Sequence, residues 1–250
     1  MRIGLIGSGN MARALAVGWG RPVTCSALEL EQAEALATLV GGKAVSSNLA
    51  VAEETDIVVL CHKPAQLGDV AAEIAESAPL VVSILAGVSI GDLRDAYPNS
   101  TVVRIMPNLA VEVRQATIGV VDDDCGDPET FAKIVELLEE LGDVAVIDEA
   151  HFAVLTAISG VGPAYLALVA EAQVDAAVAE GLDPATAKML VGSTLRGSSE
   201  LLISRSNDSA QICREVATPG GVTEKGLAAL DRPLRDGFTA AMDAVLGRSK

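Results

Sequence analysis

The sequence predicts an α/β protein in which a doubly wound, mostly parallel β-sheet is followed by an all-helical domain. Short apolar runs alternate with segments of helical periodicity through residues 1–148, whereas residues 149–250 contain no convincing strand. Half of the 250 residues are hydrophobic and only 2% are aromatic. The core must therefore consist of Ala, Val, Leu and Ile, which suits helices packed on a parallel sheet.

The predicted strands of the first domain are short and apolar, as buried parallel strands are. They span residues 2–6, 22–26, 44–46, 57–60, 80–84, 102–105, 118–121 and 144–147. Helical periodicity predicts helices at 10–18, at 28–39 and in a stretch that ends at 54. This β-α-β order is typical of a doubly wound sheet.

The second domain is predicted to contain only helices, the first of which is capped by Asp148 or a neighbour. They span 150–158, 164–180, 185–204 and 208–216, followed by one that ends near 230 and a last one at 232–246. The helix at 164–179 is apolar on nearly every face, so it must be buried. A homodimer interface is a simpler place to bury it than a core within so short a lobe.

The charge distribution excludes some classes of partner. The chain has a net charge of −16, of which −14 falls on residues 1–150. Such a surface repels nucleic acid and anionic membranes, and no apolar run approaches the roughly 20 residues that span a bilayer. The cluster Asp122-Asp123-Asp124 is interpreted as a solvated acidic face, or as adaptation to a saline host, rather than a metal site.

Cysteine and histidine usage argues against metal, disulfide and hydrolase chemistry. The four cysteines, Cys25, Cys61, Cys125 and Cys213, include no C-x-x-C pair. Met1 leads directly into a strand-like run without a signal peptide, so we expect a cytoplasmic protein with free thiols. The chain has two histidines and no nucleophile elbow, which leaves hydrolase triads with little support.

A glycine-rich turn carries the first functional signal. Gly7-Ser8-Gly9-Asn10-Met11-Ala12 follows a predicted strand and opens a predicted helix. The first glycine permits the tight turn, the second permits close approach of a pyrophosphate, and Ala12 permits close packing of helix on strand. The free amides at the start of the helix hold the anion. The segment predicts a dinucleotide-binding Rossmann domain at residues 1–148.

The second predicted strand bears on the choice of cofactor. In Rossmann domains a carboxylate at its end binds the ribose hydroxyls of NAD. Here the strand ends in Cys25-Ser26-Ala27-Leu28, without a carboxylate. Because Ser26 tolerates a 2′-phosphate, the sequence favours NADPH. NADH stays open, since no arginine lies nearby to bind that phosphate.

Polar residues also follow later predicted strands, whose carboxyl ends bind ligands in open sheets. His62-Lys63-Pro64 is one such segment, in which Lys63 either approaches the cofactor or is a surface lysine. Ala86 and Asn108 can line a nicotinamide pocket. Arg104 lies within an apolar run and is expected to pair with an acidic neighbour.

The helical domain, predicted to span residues 149–250, contains a candidate anion site. Thr218-Pro219-Gly220-Gly221-Val222-Thr223 places two glycines and two flanking hydroxyls before a helix, so a row of backbone amides can grip a carboxylate. Glu149 and Thr156 are seven residues apart and are predicted to share one helix face. From the residues alone, Glu149 is interpreted as a partner of the helix dipole.

Taken together, these segments resemble the pyrroline-5-carboxylate reductase family over essentially the whole chain. The likeness is carried by the glycine turn with Asn10-Met11, Asn48, Lys63-Pro64, Ser83 with Ala86-Gly87, Arg104-Ile105-Met106-Pro107-Asn108, Ser159-Gly160-Val161-Gly162-Pro163-Ala164-Tyr165 and the loop at 219–223. The resemblance implies a Rossmann domain followed by a helical dimerisation domain. It also implies interleaved subunits and, often, a ring of dimers.

The resemblance further implies roles for individual residues. Ser26 and Asn48 would lie near the adenosine ribose and its 2′-phosphate, and His62, Lys63 and Ala86 would line the rest of the cofactor site. The amides of Gly221, Val222 and Thr223 would hold the substrate carboxylate, Thr218 would shape the loop, and the Thr223 hydroxyl would face the ring nitrogen. Glu149 and Thr156 match positions near the substrate. Val161, Val222 and His62 depart from the usual family residues.

The implied reaction is hydride transfer from NADPH or NADH to Δ1-pyrroline-5-carboxylate, which gives L-proline. A protonated cyclic imine is already electrophilic, so the protein needs to orient the reactants rather than supply a strong acid. Two alternatives stay open. One is a reductase for a related imino acid or a deazaflavin–NADP couple, and the other is a non-catalytic, cofactor-binding regulatory relative.

Overall fold

The computed structural model describes residues 1–121 and 127–248. It comprises two compact units, Met1–Pro163 and Ala164–Lys250. The acidic cluster at Asp122–Asp124 and Cys125 lie outside the described residues.

The first unit is built on a mostly parallel sheet. In the described part of the chain the strands are β1 (Ile3–Ile6), β2 (Thr24–Ser26), β3 (Lys43–Ala44), β4 (Ile57–Leu60), β5 (Leu80–Ser83), β6 (Thr101–Met106), β7 (Ala116–Val121) and β8 (Gly142–Ile147). Their spatial order is β3-β2-β1-β4-β5-β6-β7-β8. The β6–β7 pairing is antiparallel, and the other pairings are parallel. This confirms the predicted doubly wound sheet, in which strands are added outward to one side from β1 to β3 and to the other side from β4 onward.

Helices connect the strands and form the whole of the second unit. Those of the first unit are α1 (Asn10–Trp19), α2 (Leu30–Val40), α3 (Asn48–Glu54), α4 (Leu67–Ile74), α5 (Ile90–Ala96), α6 (Pro128–Glu139) and α7 (Phe152–Leu155). The later ones are α8 (Gly162–Ala179), α9 (Pro184–Ser204), α10 (Ser209–Val216) and α11 (Val222–Val245). The predicted all-helical C-terminal architecture is therefore confirmed.

The core of the first unit has two layers, because the central strands are buried on both faces. Val58 belongs to one buried cluster and Val59 to the other, as the two-residue period of a strand requires. The same alternation holds for Val81 and Val82 of β5. Ala, Val, Leu and Ile make up most of the core, as the composition predicts, but Trp19, Tyr97 and Phe152 are also buried, so the prediction of a core without aromatic residues is wrong in part.

The segment after β8 departs from the predicted regular helix at 150–158. It consists of a 3₁₀ turn at Glu149–His151, the single turn α7, and a π-helix at Thr156–Gly160. The Asp148 side chain makes no capping hydrogen bond. The prediction that Glu149 and Thr156 share one face of a regular helix is wrong, because the helical pitch changes twice between them.

The end of the chain also differs from prediction. One helix, α11, runs through Pro233, where two helices separated near residue 231 were expected. A proline removes one backbone donor from a helix but does not always end it.

Among the described residues, one helical stretch is long and apolar enough by composition to cross a bilayer. It runs from Glu149 to Ala179 and has a mean hydropathy of 1.8, with 11% of its apolar window buried within the chain. Polar residues interrupt this stretch, so it contains no uninterrupted apolar run of the length that spans a bilayer.

Candidate functional site

The glycine turn between β1 and α1 has the geometry that a phosphate site requires. Gly7 has a φ of +102°, and a Cβ there would lie 2.7 Å from the carbonyl carbon of Cys61. Gly9 is the N-cap of α1 without a side-chain cap, and a Cβ there would meet nothing within 4 Å. The turn therefore needs glycine at position 7 for its conformation, and position 9 leaves the first amides of α1 open to a ligand.

A cleft of about 610 Å³ opens beside this turn, at the carboxyl ends of β1, β2 and β4. Seven residues of the predicted cofactor site line it, namely Gly7, Ser8, Gly9, Ser26, Asn48, His62 and Lys63. The other predicted cofactor residues, Asn10, Met11, Pro64, Ala86 and Asn108, are not among its lining residues. The cleft is at the edge of the sheet where doubly wound folds bind nucleotides.

The residues present fit a dinucleotide. The first turn of α1 carries no acidic side chain that would repel a phosphate. The Ser8 hydroxyl is buried and has no hydrogen-bond partner within the described residues. An unpaired buried hydroxyl at the end of an uncapped helix can donate to a phosphate oxygen, so the pyrophosphate would be held by Ser8 and the α1 amides.

The cleft also holds a chain of three polar side chains. Ser26, at the end of β2, donates a hydrogen bond to Oδ1 of Asn48 at 2.7 Å. Asn48, the first residue of α3, donates from Nδ2 to Oε2 of Glu73 at 2.9 Å. Glu73 lies in the last turn of α4 and also lines the cleft. The predicted pair Ser26 and Asn48 is thus extended by a carboxylate.

Cys61 and His62 are uncharged parts of the cleft wall. Burial raises the pKa of the Cys61 thiol to about 12. Burial also lowers the pKa of His62, and its Nδ1 lies 2.9 Å from the carbonyl oxygen of Lys63. Because a carbonyl only accepts, Nδ1 carries the proton of the neutral ring. Lys63 is therefore the cationic side chain that lines the cleft after β4.

Arg104 is paired as predicted. Its guanidinium lies 2.5 Å from Oε1 of Glu149 and stacks over the ring of Phe152 at 4.1 Å. The same Glu149 oxygen accepts a hydrogen bond from the amide of Ile90, the first residue of α5. Glu149 is therefore a partner of the helix dipole of α5, and not of the helical segment in which it lies.

Asn108 is buried and makes structural hydrogen bonds. Its Nδ2 donates to both the carbonyl and the hydroxyl of Ser159, at 3.2 and 3.1 Å. Its Oδ1 accepts from the amide of Ala110 at 3.0 Å. The side chain thus connects the π-helical segment to the chain just after β6.

The second unit contains the glycine loop before α11. Gly220 has a φ of +73°, and its amide donates to Oε2 of Glu224 at 2.6 Å. The Gly221 amide donates to the carbonyl of Thr218 at 2.9 Å, so it is engaged within the loop. The amides of Val222 and Thr223 lie in the first turn of α11, where a helix offers no internal acceptor.

Sequence reasoning missed three acidic residues in these places. Asp69 and Glu73 both line the cleft and lie one turn apart on α4, a helix that the sequence pattern did not delimit. Their i, i+4 spacing directly after Lys63-Pro64 is a signal that could have found them. Glu224 was missed because only the folded loop shows that its carboxylate accepts the hydrogen bond of the Gly220 amide.

Comparisons with known proteins match both units. A family model described as "Pyrroline-5-carboxylate reductase dimerisation" matches residues 149–250. A model described as "NADP oxidoreductase coenzyme F420-dependent" matches residues 2–87.

Similar proteins align along nearly the full length. The pyrroline-5-carboxylate reductase of Synechocystis sp. is 31% identical, with 100% of this chain and 97% of the relative covered. That of Thermus thermophilus is 36% identical, with 99% and 97% covered. Among solved structures, the Coxiella burnetii pyrroline-5-carboxylate reductase has a TM-score of 0.86 at 28% identity, with 99% of this chain and 96% of that chain covered. The Plasmodium falciparum enzyme with NADP bound has a TM-score of 0.87 at 27% identity, with 98% and 95% covered.

Proposed function

This chain belongs to the pyrroline-5-carboxylate reductase family, and we infer from that premise that it reduces Δ1-pyrroline-5-carboxylate to L-proline, the last step of proline biosynthesis. The observation that carries the inference is the alignment of relatives of that name along essentially the whole of both chains. NAD(P)H supplies the hydride that adds to the imine carbon, and the imine nitrogen keeps a proton. The chain is thus an oxidoreductase acting on a CH–NH bond.

The cleft of the first unit is proposed to bind the cofactor. Gly7, Ser8, Gly9, Asn10 and Met11 would form the pyrophosphate turn, a proposal supported by the uncapped helix start and the unpaired Ser8 hydroxyl. The remaining residues proposed for the ribose and nicotinamide portions are Ser26, Asn48, His62, Lys63, Pro64, Ala86 and Asn108.

The loop before α11 is proposed to bind the substrate carboxylate. The amides of Val222 and Thr223 are directed by the start of the helix, and Gly220, Gly221 and Thr218 hold the loop shape. A carboxylate bound there needs no positive side chain, because the helix N-terminus favours an anion. The Thr223 hydroxyl would hydrogen-bond the ring nitrogen. Glu149 and Thr156 are proposed to border the substrate, with Glu149 fixed by Arg104.

The match of residues 149–250 to the dimerisation model supports self-association of the chain, and a small molecule is its substrate. We propose a homodimer, in which a boundary near residue 148 separates the cofactor domain from the dimerisation and substrate domain; the family match at 149–250 supports this boundary. A ring of dimers and a cytoplasmic location are further proposals that rest on the likeness to the family. The lack of nucleic-acid or membrane partners is a proposal that rests on the acidic charge.

Loss of nicotinamide absorbance during turnover tests the function. The purified chain is given NADH or NADPH with pyrroline-5-carboxylate or its six-membered homologue, and proline is measured as product. We expect Thr223→Ala to lower turnover far more than cofactor affinity, because it removes the hydrogen bond to the ring nitrogen. Thr239→Ala, on the same helix, is the matched control.

Faster reduction of the six-membered imine would reassign the substrate. Binding of NAD(P)H without oxidation by either imine would mean that the chain is not a reductase.

A further inference from the structure

The chain of Ser26, Asn48 and Glu73 in the cleft has a fixed hydrogen-bond polarity. A carboxylate such as Glu73 only accepts hydrogen bonds, so the Asn48 group that faces it at 2.9 Å must be the amide NH₂. Oδ1 of Asn48 then faces Ser26, so the Ser26 hydroxyl must donate its proton across the 2.7 Å contact. One acidic residue thus sets the orientation of both neighbours.

This polarity leaves mainly acceptors for a ligand. The Ser26 proton and one Asn48 proton are already used, whereas lone pairs of Ser26, Asn48 and Glu73 remain. A ribose with free 2′- and 3′-hydroxyls has donors to offer to such a surface. A 2′-phosphate has only acceptors at neutral pH and would meet acceptors.

The charge of the cleft acts in the same direction. Among the described residues that line it, Lys63 is the cation, and Asp69 and Glu73 are carboxylates. Glu73 lies in the last turn of α4, where the carbonyl end of the helix adds negative potential. No arginine is among these lining residues. A doubly charged 2′-phosphate is repelled here, and an uncharged hydroxyl is not.

We propose that Glu73 is a specificity-determining residue that makes this chain bind NADH in preference to NADPH. It acts directly through its charge and indirectly by fixing the Ser26 oxygen and Oδ1 of Asn48 as acceptors. The proposal rests on the proposed function to the extent that the cleft binds a nicotinamide dinucleotide. In role, Glu73 replaces the carboxylate that other Rossmann domains place at the end of their second strand.

Equilibrium binding tests the proposal without turnover. Dissociation constants of NADH and NADPH are measured by fluorescence, and those of 5′-AMP and adenosine 2′,5′-bisphosphate by calorimetry. We expect wild-type chain to bind NADH about tenfold or more tightly than NADPH, and the preference to shrink as salt screens the repulsion. Glu73→Gln keeps an acceptor for Asn48 but removes the charge, and we expect it to reduce the preference roughly tenfold.

Glu76→Gln is the matched control, because Glu76 is an exposed glutamate three residues further along that does not line the cleft. It should leave the ratio of the two dissociation constants unchanged. Equal or tighter binding of NADPH by wild type, a Glu73→Gln ratio within twofold of wild type, or an equal shift in Glu76→Gln would each overturn the proposal. Failure to bind either dinucleotide would instead overturn the proposed cofactor site itself.

Discussion

At the scale of single residues, the pair Arg104–Glu149 is the ion pair with the most burial among those described, with side-chain exposures of 10% and 31%. Glu149→Gln keeps an acceptor for the Ile90 amide but leaves the guanidinium without its counter-charge. We expect a loss of about 1–3 kcal/mol of unfolding free energy, discounted for the partial exposure. Urea unfolding at fixed protein concentration measures it.

The control for this substitution is Glu129→Gln, which breaks the exposed i, i+4 pair with Lys133. Solvent and salt screen such a pair, so its loss should not be detectable. Equal effects of the two substitutions would mean that burial adds nothing to the Arg104–Glu149 pair.

The raised pKa of Cys61 leads to a second prediction at this scale. With a pKa of about 12 caused by burial, the folded thiol is neutral up to high pH, and at pH 8 only about one molecule in ten thousand carries the reactive thiolate. Iodoacetamide should label the exposed Cys213 rapidly and Cys61 only after denaturation, as peptide mass spectrometry can measure. Rapid labelling of Cys61 in the folded chain at pH 8 would contradict the expectation that its thiol is neutral.

At the scale of elements, the sequence correctly predicted the strands and turns whose signal lies in a few adjacent residues. The short apolar runs gave the strands, and the glycine turn between β1 and α1 was placed correctly because its signal lies within six residues. The helical segment at 149–160 was described wrongly, since its changes of pitch accompany contacts with distant residues. Asn108, for example, holds Ser159 from 51 residues away. Periodicity cannot predict such contacts.

The continuity of α11 leads to a prediction about Pro233. A proline within a helix leaves the carbonyl four residues earlier without its donor. Pro233 also lines an apolar groove with Tyr165, Leu168 and Phe238. We expect Pro233→Ala to raise the thermal midpoint by several degrees, because it restores the hydrogen bond at the loss of part of one ring contact.

Differential scanning calorimetry at fixed protein concentration checks this, with Ala229→Gly on the same helix expected to lower the midpoint. A lower midpoint for Pro233→Ala would mean that packing of the proline ring outweighs the missing hydrogen bond.

At the scale of the whole molecule, the candidate site was predictable only where adjacent residues carry the chemistry. Ser26 and Asn48 were placed together by resemblance, and the structure brings them into contact. Glu73 could not be assigned to the same place, since it arrives from α4, 25 residues beyond Asn48. The proposed preference for NADH therefore depends on a tertiary contact, whereas the end of the second strand alone favours NADPH.

The exposed apolar face of the second unit leads to the last prediction. Leu168 of α8 is 62% exposed, and the helix lies in the region matched by the dimerisation model. If copies of the chain cover this face, Leu168→Glu buries a charge at the interface and should shift the species seen by sedimentation from dimer toward monomer. Leu39→Glu is the control, at a leucine of α2 that is 50% exposed in the first unit.

The apolar stretch at Glu149–Ala179 offers another way to cover the face, namely a bilayer. A wild-type chain that sediments as a monomer and floats with lipid vesicles would favour the bilayer. A dimer that ignores vesicles and dissociates only in Leu168→Glu would place the face between subunits.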